Sequence, residues 1–587
     1  MRYSWKIGGP AGYGIKSAGE IFAKAFLKKG LYVFCYSEYP SLIRGGHNTV
    51  QVDISDQPVR SASDKVSFLV ALDEETIRID HEHLRERGMM IYDASVVTNK
   101  RKIPRKHTFN VPFSDIAKEA GNLLLRNTVA LGASLAFFGT DAKELKEIVK
   151  ESFSGKEEEM IRQNIKAVDL GFHYVINNYK ITPNEFFDKD VIDKKDILIT
   201  GNMTMAMGAI VGGCKFFASY PMTPSTGLFQ YLVAHERDYD MVVHQGEDEI
   251  GVIHEALGAS FAGARSMITT SGGGFALMNE AISLSGMTET PIVIAEVMRP
   301  APATGLPTWT DQGDLSFVLN AGHGDFPKVV LAAGDPEEAY ELAWRALNFS
   351  EKFQIPVMVL SDKFLGESQY TVSSRKLSEI KIKTERGKIL EKIGENYQRY
   401  ENTKDSISPR VFPGAEKGEH IANSDEHNEF SFSVEAYSDD RITQMNKRAR
   451  KINAIRKEMK PPVIFGKKDA DITIVSWGSN KGPILDAMDS INYSSPLTKK
   501  SVNYLHFTDI YPFPQGAEKI LKKSKKLILV ECNQSGQFGK LIRQETSIDI
   551  QNKLLKYDGR PFWPEEIVAY LKKLPLASIK KILWKKK

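Results

Sequence analysis

The alternation of apolar and polar positions is clearest between residues 216 and 315. Short apolar runs of strand length alternate there with longer runs in which small and apolar residues recur at helical spacing. The pattern predicts strands at 216–219, 241–244, 265–270 and 291–297, helices at 250–262 and 275–287, and a tight loop at 271–274. Strands alternating with helices of this length favour parallel βαβ units, so the polar residues that follow the strands are expected to form a site at one sheet edge.

A similar pattern opens the chain. Residues 3–7 predict a strand, a glycine-rich segment follows from Gly8 to Gly14, and a helix is predicted at 15–28. A glycine-rich turn before a helix can present backbone N–H groups to a phosphate. The same glycines can form a tight turn that packs the helix on a sheet, and a lone glycine pattern leaves both interpretations open.

Breaks in the pattern predict an α/β protein of three domains, because a chain of 587 residues is too long for one hydrophobic core. We place these domains at residues 1–180, 196–370 and 460–587. Residues 371–459 predict an irregular connection followed by a basic amphipathic helix at 441–459. Such a helix is more typical of a solvated connection than of a nucleic-acid-binding element.

Composition excludes several classes of function. A net charge of +4 on 587 residues argues against a polyanionic partner such as nucleic acid. No run of about 18 apolar residues predicts a membrane span, and no signal peptide is recognised. The three cysteines, Cys35, Cys214 and Cys532, are far apart in sequence. They cannot form a disulfide framework or a four-cysteine iron–sulfur cluster from this chain alone, so we expect a cytoplasmic protein, and any iron–sulfur chemistry must lie on a partner.

Acidic residues mark the start of the predicted helix at 250–262. Glu249 lies at its first turn, with Gly258 and Gly263 further along. This spacing resembles the pyrimidine-binding domain of thiamine-diphosphate enzymes, in which a glutamate at a helix start hydrogen-bonds the aminopyrimidine ring of the cofactor. A carboxyl in a low-dielectric cleft can share a proton with a ring nitrogen. The alternative is that Glu247, Asp248 and Glu249 only stabilise the helix N-terminus.

Three further motifs carry a family resemblance. They are Tyr-Pro-Met-Thr-Pro-Ser-Thr at 220–226, Thr-Ser-Gly-Gly-Gly at 270–274, and Ala-Thr-Gly-Leu-Pro-Thr at 303–308 followed by Asp311 and Gln312. Together they closely resemble the alpha subunit of 2-oxoacid:ferredoxin oxidoreductases. Later segments that match the same family lie at 407–410, 424–427, 475–479 and 557–562.

The resemblance covers nearly the whole chain and implies its domain order. The first domain resembles the gamma portion of the family, fused ahead of alpha as in many archaeal enzymes of this type. The second then corresponds to a thiamine-diphosphate pyrimidine-binding-type domain. The third corresponds to a transketolase-C-like α/β domain.

The resemblance also implies roles for individual residues. It assigns catalysis to Glu249, Thr223 and Arg299, and contacts with the substrate to Thr223, Arg299 and Thr304. A guanidinium can hold the carboxylate of a 2-oxoacid bidentately, although Arg299 could instead form a structural salt bridge at a strand end. The residues implied to bind the cofactor are Glu249, Tyr220, Pro221, Gly272 and Gly273. No residue of this chain is expected to bind a metal.

One motif of thiamine-diphosphate enzymes is missing. In that class, as the resemblance implies, the diphosphate and its Mg²⁺ need a Gly-Asp-Gly motif, because Mg²⁺ prefers carboxylate and phosphate oxygens. Here Gly324-Asp325 is followed by Phe, and Gly334-Asp335 by Pro. We therefore expect thiamine diphosphate to be shared with a beta subunit that also carries Mg²⁺ and a [4Fe-4S] cluster. The expected assembly is alpha–beta or (alpha–beta)₂.

The activity implied by the resemblance is oxidative decarboxylation of a 2-oxoacid, with coenzyme A as cosubstrate and ferredoxin as electron acceptor. The substrate is expected to be 2-oxoglutarate, pyruvate or a broad range of 2-oxoacids. Trp309 lies where many relatives carry a basic residue, and we expect it to favour a short or apolar side chain. The alternative function is a non-catalytic or NADPH-linked relative acting in assembly or electron transfer, whose loop at Gly12 and Gly14 binds a nucleotide. No clean Gly-x-Gly-x-x-Gly with a following acidic residue supports that alternative.

Overall fold

The computed structural model describes residues 1–42, 45–97, 107–181, 185–493 and 501–574. Helices flank three β-sheets, which confirms the α/β class predicted from the sequence. Residues 575–587 of the predicted third domain lie outside the described part of the chain.

The N-terminal region forms most of the first sheet and packs helices against it. Its strands are β1 (Arg2–Pro10), β2 (Tyr32–Glu38), β3 (His47–Ser55), β4 (Val66–Ala71), β5 (Leu84–Asp93) and β6 (Thr108–Val111). Its helices are α1 (Ile15–Lys28), α2 (Glu74–Asp80), α3 (Phe113–Ala120), α4 (Arg126–Phe137), α5 (Lys143–Ser152) and α6 (Glu158–Asn178). Trp5 is fully buried and stacks on Phe22 with ring centroids 4.1 Å apart, so α1 is fixed against the sheet by aromatic packing.

The middle region supplies the βαβ units that the alternation predicted. Its strands are β7 (Ile197–Thr200), β8 (Phe216–Ser219), β9 (Val242–Gln245), β10 (Ser266–Thr270), β11 (Ile292–Met298), β12 (Val329–Ala332), β13 (Pro356–Asp362) and β14 (Gln369–Val372). Its helices are α7 (Gly201–Val211), α8 (Thr226–His235), α9 (Glu249–Phe261), α10 (Gly272–Leu277), α11 (Asn279–Thr288), α12 (Leu315–Leu319), α13 (Pro336–Phe353), α14 (Lys363–Glu367) and α15 (Ser374–Glu379).

The C-terminal region follows a long irregular connection. Its strands are β15 (Val463–Phe465), β16 (Ile472–Trp477), β17 (Val502–Phe507), β18 (Asp509–Tyr511), β19 (Leu527–Glu531) and β20 (Asn552–Leu555). Its helices are α16 (Ser438–Glu458), α17 (Lys481–Tyr493), α18 (Ala517–Lys523), α19 (Gln537–Thr546) and α20 (Pro564–Lys573).

The three sheets exchange strands between regions. The first sheet has the order β6-β5-β4-β1-β3-β2-β14-β7, so two strands of the middle region extend the N-terminal sheet. The second sheet has the order β18-β12-β13-β11-β10-β8-β9, and its edge strand β18 comes from the C-terminal region. The third sheet has the order β15-β17-β16-β19-β20. These shared strands tie the regions together with backbone hydrogen bonds.

One local prediction near the site is wrong. Residues 271–274, predicted as a tight loop, cap and begin α10, and a turn at Met278 divides the predicted helix 275–287 into α10 and α11. Glycine is a poor helix former in isolation, which is why the sequence suggested a loop. Two of the three glycines leave space for side chains that reach them from elsewhere in the fold, and this tertiary packing overrides their local preference.

The glycine-rich segment near the N-terminus is largely explained by packing. Gly8 lies within β1, where a Cβ atom would approach Cγ2 of Thr76 to 2.6 Å. Gly14 precedes α1 with φ 68°, and a Cβ there would lie 2.4 Å from Nδ2 of Asn127. The packing interpretation therefore accounts for both glycines, and ligand binding by this segment stays a prediction.

The sequence predicted that the basic helix α16 is solvated, but one face of this helix is buried. Lys447 and Lys451 are fully buried, and their Nζ atoms lie 2.6 and 2.5 Å from the two carboxylate oxygens of Glu289, directly after α11. Burial lowers the pKa of Lys447 to about 8 against the opposing effect of Glu289. A basic pattern predicts a solvated face only when no buried carboxylate reaches it, and the sequence did not show that Glu289 would.

Candidate active site

The carboxyl ends of four neighbouring strands of the second sheet converge on one edge. Strands β9, β8, β10 and β11 are adjacent and parallel. Tyr220 follows β8, Glu249 lies shortly after β9, Ser271 follows β10 and Arg299 follows β11. Residues far apart in sequence therefore meet where an α/β sheet places its ligand crevice.

Glu249 is turned into the protein at the first position of α9. Its exposed fraction is 4%, whereas Glu247 and Asp248 are exposed. Asp248 caps the helix by accepting a hydrogen bond of 2.7 Å from the backbone N–H of Gly251. The capping role that the sequence left open for all three acids is thus filled by Asp248, and Glu249 is free for another role.

The glycines at the start of α10 lie beside Glu249. A Cβ atom on Gly274 would lie 2.7 Å from Cγ of Glu249, so only glycine lets the two elements approach this closely. A Cβ on Gly272 would lie 2.4 Å from Oδ2 of Asp314. In contrast, a Cβ on Gly273 would meet nothing within 4 Å, so this glycine faces open space. A buried carboxyl with open space at a neighbouring glycine is the arrangement that a flat aminopyrimidine ring requires.

Arg299 is brought to Thr223, as expected, but the contact is with the backbone. Nη1 of Arg299 donates a hydrogen bond of 2.6 Å to the carbonyl oxygen of Thr223. Nε of Arg299 is buried and has no hydrogen-bond partner among the described residues. Within that part of the chain Arg299 forms no ion pair; burial lowers its pKa and the charge of Asp314 opposes this without a hydrogen bond, which argues against the structural salt bridge. The Thr223 carbonyl orients the group, and the binding of a substrate carboxylate by Arg299 stays a prediction.

The other residues assigned from the resemblance lie at the mouth of the site. Tyr220 is 39% exposed, and Pro221 and Thr304 are also exposed. The loop that carries Thr304 folds back, because the N–H of Leu306 donates a hydrogen bond of 3.0 Å to the carbonyl of Pro300. No hydrogen bond joins these three side chains to Glu249 in the described residues, so their roles in binding stay predictions.

Two acidic residues beside Arg299 were missed by the sequence reasoning. Glu296 is fully buried in β11 and lies against Asp314, and both of its oxygens lack an N–H or O–H donor among the described residues. Burial, followed by the charge of Asp314, holds the pKa of Glu296 well above its usual range. Two buried carboxyls this close disfavour the ionised form, and the pKa of Asp314 is likewise raised by burial. The signal in the sequence was a single acidic residue inside the otherwise apolar strand 292–298.

Exposed large apolar side chains on these elements form a set that we call the apolar rim. Its members lie on β9, on α9, on α10 and on the loops after β8 and β11: Tyr220, Val242, Ile250, Leu277 and Leu306, with exposed fractions of 39, 57, 47, 53 and 44%. Strand β9 is also the outer strand of its sheet. Large apolar side chains clustered at a sheet edge are typical of a surface that another polypeptide covers.

The described residues add three negative findings. None of their helices is long and apolar enough to cross a lipid bilayer. No group of three or more histidine, cysteine, aspartate or glutamate side chains among them is arranged to hold a metal ion. All three cysteines are buried and unpaired.

The chain matches two family models. Residues 207–447 match "Pyruvate flavodoxin/ferredoxin oxidoreductase, thiamine diP-bdg", and residues 4–174 match "Pyruvate ferredoxin/flavodoxin oxidoreductase". The chain is 33% identical over 634 aligned positions to the 2-oxoacid:ferredoxin oxidoreductase subunit alpha of Sulfolobus sp, covering 98% of this chain and 97% of that protein. It is 26% identical to the 2-oxoglutarate oxidoreductase subunit KorA of Mycobacterium tuberculosis, covering 97% of this chain and 90% of that protein.

A solved structure has the same fold over nearly its whole length. It is the 2-oxoglutarate:ferredoxin oxidoreductase from Magnetococcus marinus, with 2-oxoglutarate, coenzyme A and succinyl-CoA bound. The TM-score is 0.88 at 32% sequence identity, covering 97% of this chain and 99% of that chain.

Proposed function

The chain belongs to the alpha subunits of the 2-oxoacid:ferredoxin oxidoreductases, and we propose that it oxidises a 2-oxoacid together with a beta subunit. In the proposed reaction one 2-oxoacid, one coenzyme A and two oxidised ferredoxins give acyl-CoA, CO₂, two reduced ferredoxins and one proton. The two electrons released by decarboxylation are those that reduce ferredoxin. The observation that carries the proposal is the buried carboxyl of Glu249, which faces the glycines of α10 on the same sheet edge as Arg299.

Glu249 would hold the aminopyrimidine half of thiamine diphosphate, and the residues present fit that group. The carboxyl is buried, Gly273 leaves open space beside it, and Gly274 permits the close approach of α10. When bound, the cofactor supplies a carbon nucleophile and a sink for the electrons left by decarboxylation. The task of Glu249 is to keep a proton at the pyrimidine ring nitrogen in a place that water does not reach.

Arg299 would bind the substrate carboxylate. The Thr223 carbonyl fixes the guanidinium at 2.6 Å, and its Nε–H has no partner within the described chain. A carboxylate that accepts charge-assisted hydrogen bonds from the exposed part of the guanidinium would be held in place, which aligns the neighbouring ketone for attack. Asp314 adds negative charge near Arg299, and burial favours the protonated form of its neighbour Glu296.

A beta subunit would complete the site. No Gly-Asp-Gly motif is present in the sequence, and three separated cysteines cannot supply a four-cysteine cluster. The apolar rim defined above is the surface that such a subunit would cover, which supports an alpha–beta or (alpha–beta)₂ assembly. We assign the diphosphate, Mg²⁺ and [4Fe-4S] sites to the beta subunit and ferredoxin to the assembled complex. The nucleotide-binding alternative has no such support, since the similar proteins are named as 2-oxoacid or 2-oxoglutarate oxidoreductase subunits.

Coexpression with and without the beta subunit tests this proposal. We expect the purified chain alone to oxidise no 2-oxoacid and to show no visible iron–sulfur absorbance. The complex should reduce ferredoxin or a viologen dye with a 2-oxoacid and coenzyme A. Full activity of the isolated chain, with no second polypeptide on a gel, would contradict the shared site.

A further inference from the structure

Asp314 is a buried acid that has no step of its own in the proposed reaction. It directly precedes α12, and its side chain accepts no capping hydrogen bond from that helix. Its Oδ2 atom is buried and has no hydrogen-bond partner among the described residues. A Cβ atom on Gly272 would lie 2.4 Å from the same Oδ2, so the carboxyl packs closely against the start of α10. Asp314 therefore lies on the sheet edge that also carries Glu249 and Arg299.

Glu296 lies against Asp314, within the strand that leads to Arg299. It is in register with Thr270 of β10 and Leu360 of β13, so it lies inside the sheet. Its side chain is fully buried, and neither of its carboxyl oxygens has a donor among the described residues. The two acids thus bring together buried oxygens for which that part of the chain provides no N–H or O–H. A protonated carboxyl carries its own O–H, so one proton on the pair supplies the missing donor.

The charges around this pair differ in sign. Arg299 is the cation beside Asp314, and its charge favours the ionised carboxylate. Burial has the larger effect and raises the pKa of Asp314, against the hydrogen bond with Glu296 and the charge of Arg299. Three more carboxyls face the region from neighbouring elements: Asp311 on the same loop, Asp362 at the end of β13 and Glu249 at the start of α9. A proton on Asp314 therefore changes the net charge that a ligand of Arg299 meets.

An anion bound by Arg299 would add a second negative charge beside Asp314. Like charges disfavour each other, so the anion raises the pKa of Asp314, and a protonated Asp314 in turn strengthens binding of the anion. For unit charges a few ångströms beyond contact, at an effective dielectric constant of about 20, this repulsion corresponds to roughly 10- to 100-fold in affinity. Binding of an anionic substrate at Arg299 is thus coupled to the proton on Asp314.

We propose that Asp314 takes up a proton from water when the carboxylate of the 2-oxoacid binds to Arg299, and returns it once that carboxylate has left as CO₂. This rests on the proposed function and assigns a positioning residue to the same site. One proton enters with the substrate and one leaves after decarboxylation, so the overall reaction is unchanged. Glu296 stays protonated and donates a hydrogen bond to the Asp314 carboxylate while the site is empty.

The ratio of kcat/KM between the Asp314→Asn and wild-type complexes, measured from about pH 5 to pH 9, tests this proposal. Asparagine keeps the size of the side chain but stays neutral. At high pH the variant should exceed the wild type in kcat/KM by roughly 10- to 100-fold, mainly through KM, because the wild type must first bind a proton. The ratio should approach one as the pH falls towards the pKa of Asp314. A residue with a merely structural role would not improve substrate binding in this way.

The gain should be the same with pyruvate and with 2-oxoglutarate, because both carry the carboxylate next to the ketone. Asp311→Asn is the matched control: burial raises the pKa of Asp311 to about 7 on the same loop, but it is Asp314 whose charge acts on Arg299. Its kcat/KM ratio to wild type should stay near one at every pH.

Glu296→Leu is an independent second variant. Leucine fills a position of similar size in an apolar strand and removes the O–H donor to Asp314. The ionised form of Asp314 then loses a hydrogen bond, so its pKa rises and the fall in kcat/KM should move to higher pH. An unmoved profile in this variant would overturn the proposal even if Asp314→Asn failed to assemble.

Three further results would overturn the proposal. The first is a ratio for Asp314→Asn that stays at or below one over the whole pH range. The second is a gain in Asp311→Asn in place of Asp314→Asn, which would assign the proton to Asp311. The third is a gain with 2-oxoglutarate alone, which would place Asp314 at the other end of the substrate. Failure of the parent complex to oxidise any 2-oxoacid would instead refute the proposed function.

Discussion

Replacing Arg299 by alanine is the most direct test of the substrate site. The guanidinium is half-buried, burial lowers its pKa despite the opposing charge of Asp314, and its Nε has no partner in the described chain. Among the described residues, its Nη1 donates a hydrogen bond to the carbonyl of Thr223, which positions the guanidinium. The alanine variant removes the whole charged fork and leaves the carboxylate of the bound substrate without its counter-charge.

The magnitude follows from that geometry. A desolvated, hydrogen-bonded charge pair that loses one member costs about 2–5 kcal/mol, which corresponds to a fall of roughly 30- to 5,000-fold in kcat/KM. Thr223→Ala should cost far less, about 0.5–1.5 kcal/mol, because only a neutral hydroxyl is lost and the carbonyl that holds Arg299 is retained. Arg299→Lys should fall between the two, since it keeps the charge but cannot bind in a planar, bidentate manner.

The assay is steady-state reduction of ferredoxin by the complex with pyruvate and with 2-oxoglutarate. Bound thiamine diphosphate is quantified in parallel and should stay nearly unchanged in all three variants. Arg375→Ala is the control, because Arg375 is an exposed arginine that pairs with Glu379 on α15. If Arg299→Ala kept wild-type kinetics on every 2-oxoacid tested, the clamp would be wrong and another cation would have to hold the carboxylate.

Two further predictions concern acidic residues at the same edge. Glu249→Gln should lower turnover about 10²- to 10⁴-fold, the range typical of positioned proton-transfer groups, while Glu247→Gln, on an exposed side chain, should lose much less. If Glu247→Gln lost more turnover than Glu249→Gln, the functional carboxyl would be Glu247 and the assignment of Glu249 would be wrong. Burial, and then the charge of Asp314, raises the pKa of Asp311 to about 7, so the folded state binds this proton more tightly than the unfolded chain. The resulting penalty is absent below the unfolded pKa of about 4 and complete above about 7, so Asp311→Asn should stabilise the complex by about 1–4 kcal/mol at pH 8 and by less at pH 5. A difference in melting temperature between variant and wild type that is the same at both pH values would refute this.

The sequence by itself determined the local elements and the family. Strand 216–219 and helix 15–28 have the predicted bounds, because their apolar periodicity is set within a single element. It also placed Glu249 at the start of its helix and Arg299 after its strand, since both signals are local. The missing Gly-Asp-Gly motif and the separated cysteines required no structure to recognise.

The tertiary structure decided what depends on contacts between distant segments. The three glycines 272–274 lie in a helix. Asp314 and Glu249 occupy the space that a larger residue at Gly272 or Gly274 would need. The tertiary structure also buried the lysines of α16 on Glu289, more than 150 positions away in the chain, where the sequence predicted a solvated face.

Contacts between distant segments also formed the candidate site. Glu296 lies against Asp314, and Arg560 stacks on Trp309, only because β11, the loop after it and the C-terminal region pack together. Hydrophobic periodicity reports which face of an element is buried but carries no information about which polar partner that face will meet. Long-range pairing of charge with charge is therefore the part of this protein that required the folded chain.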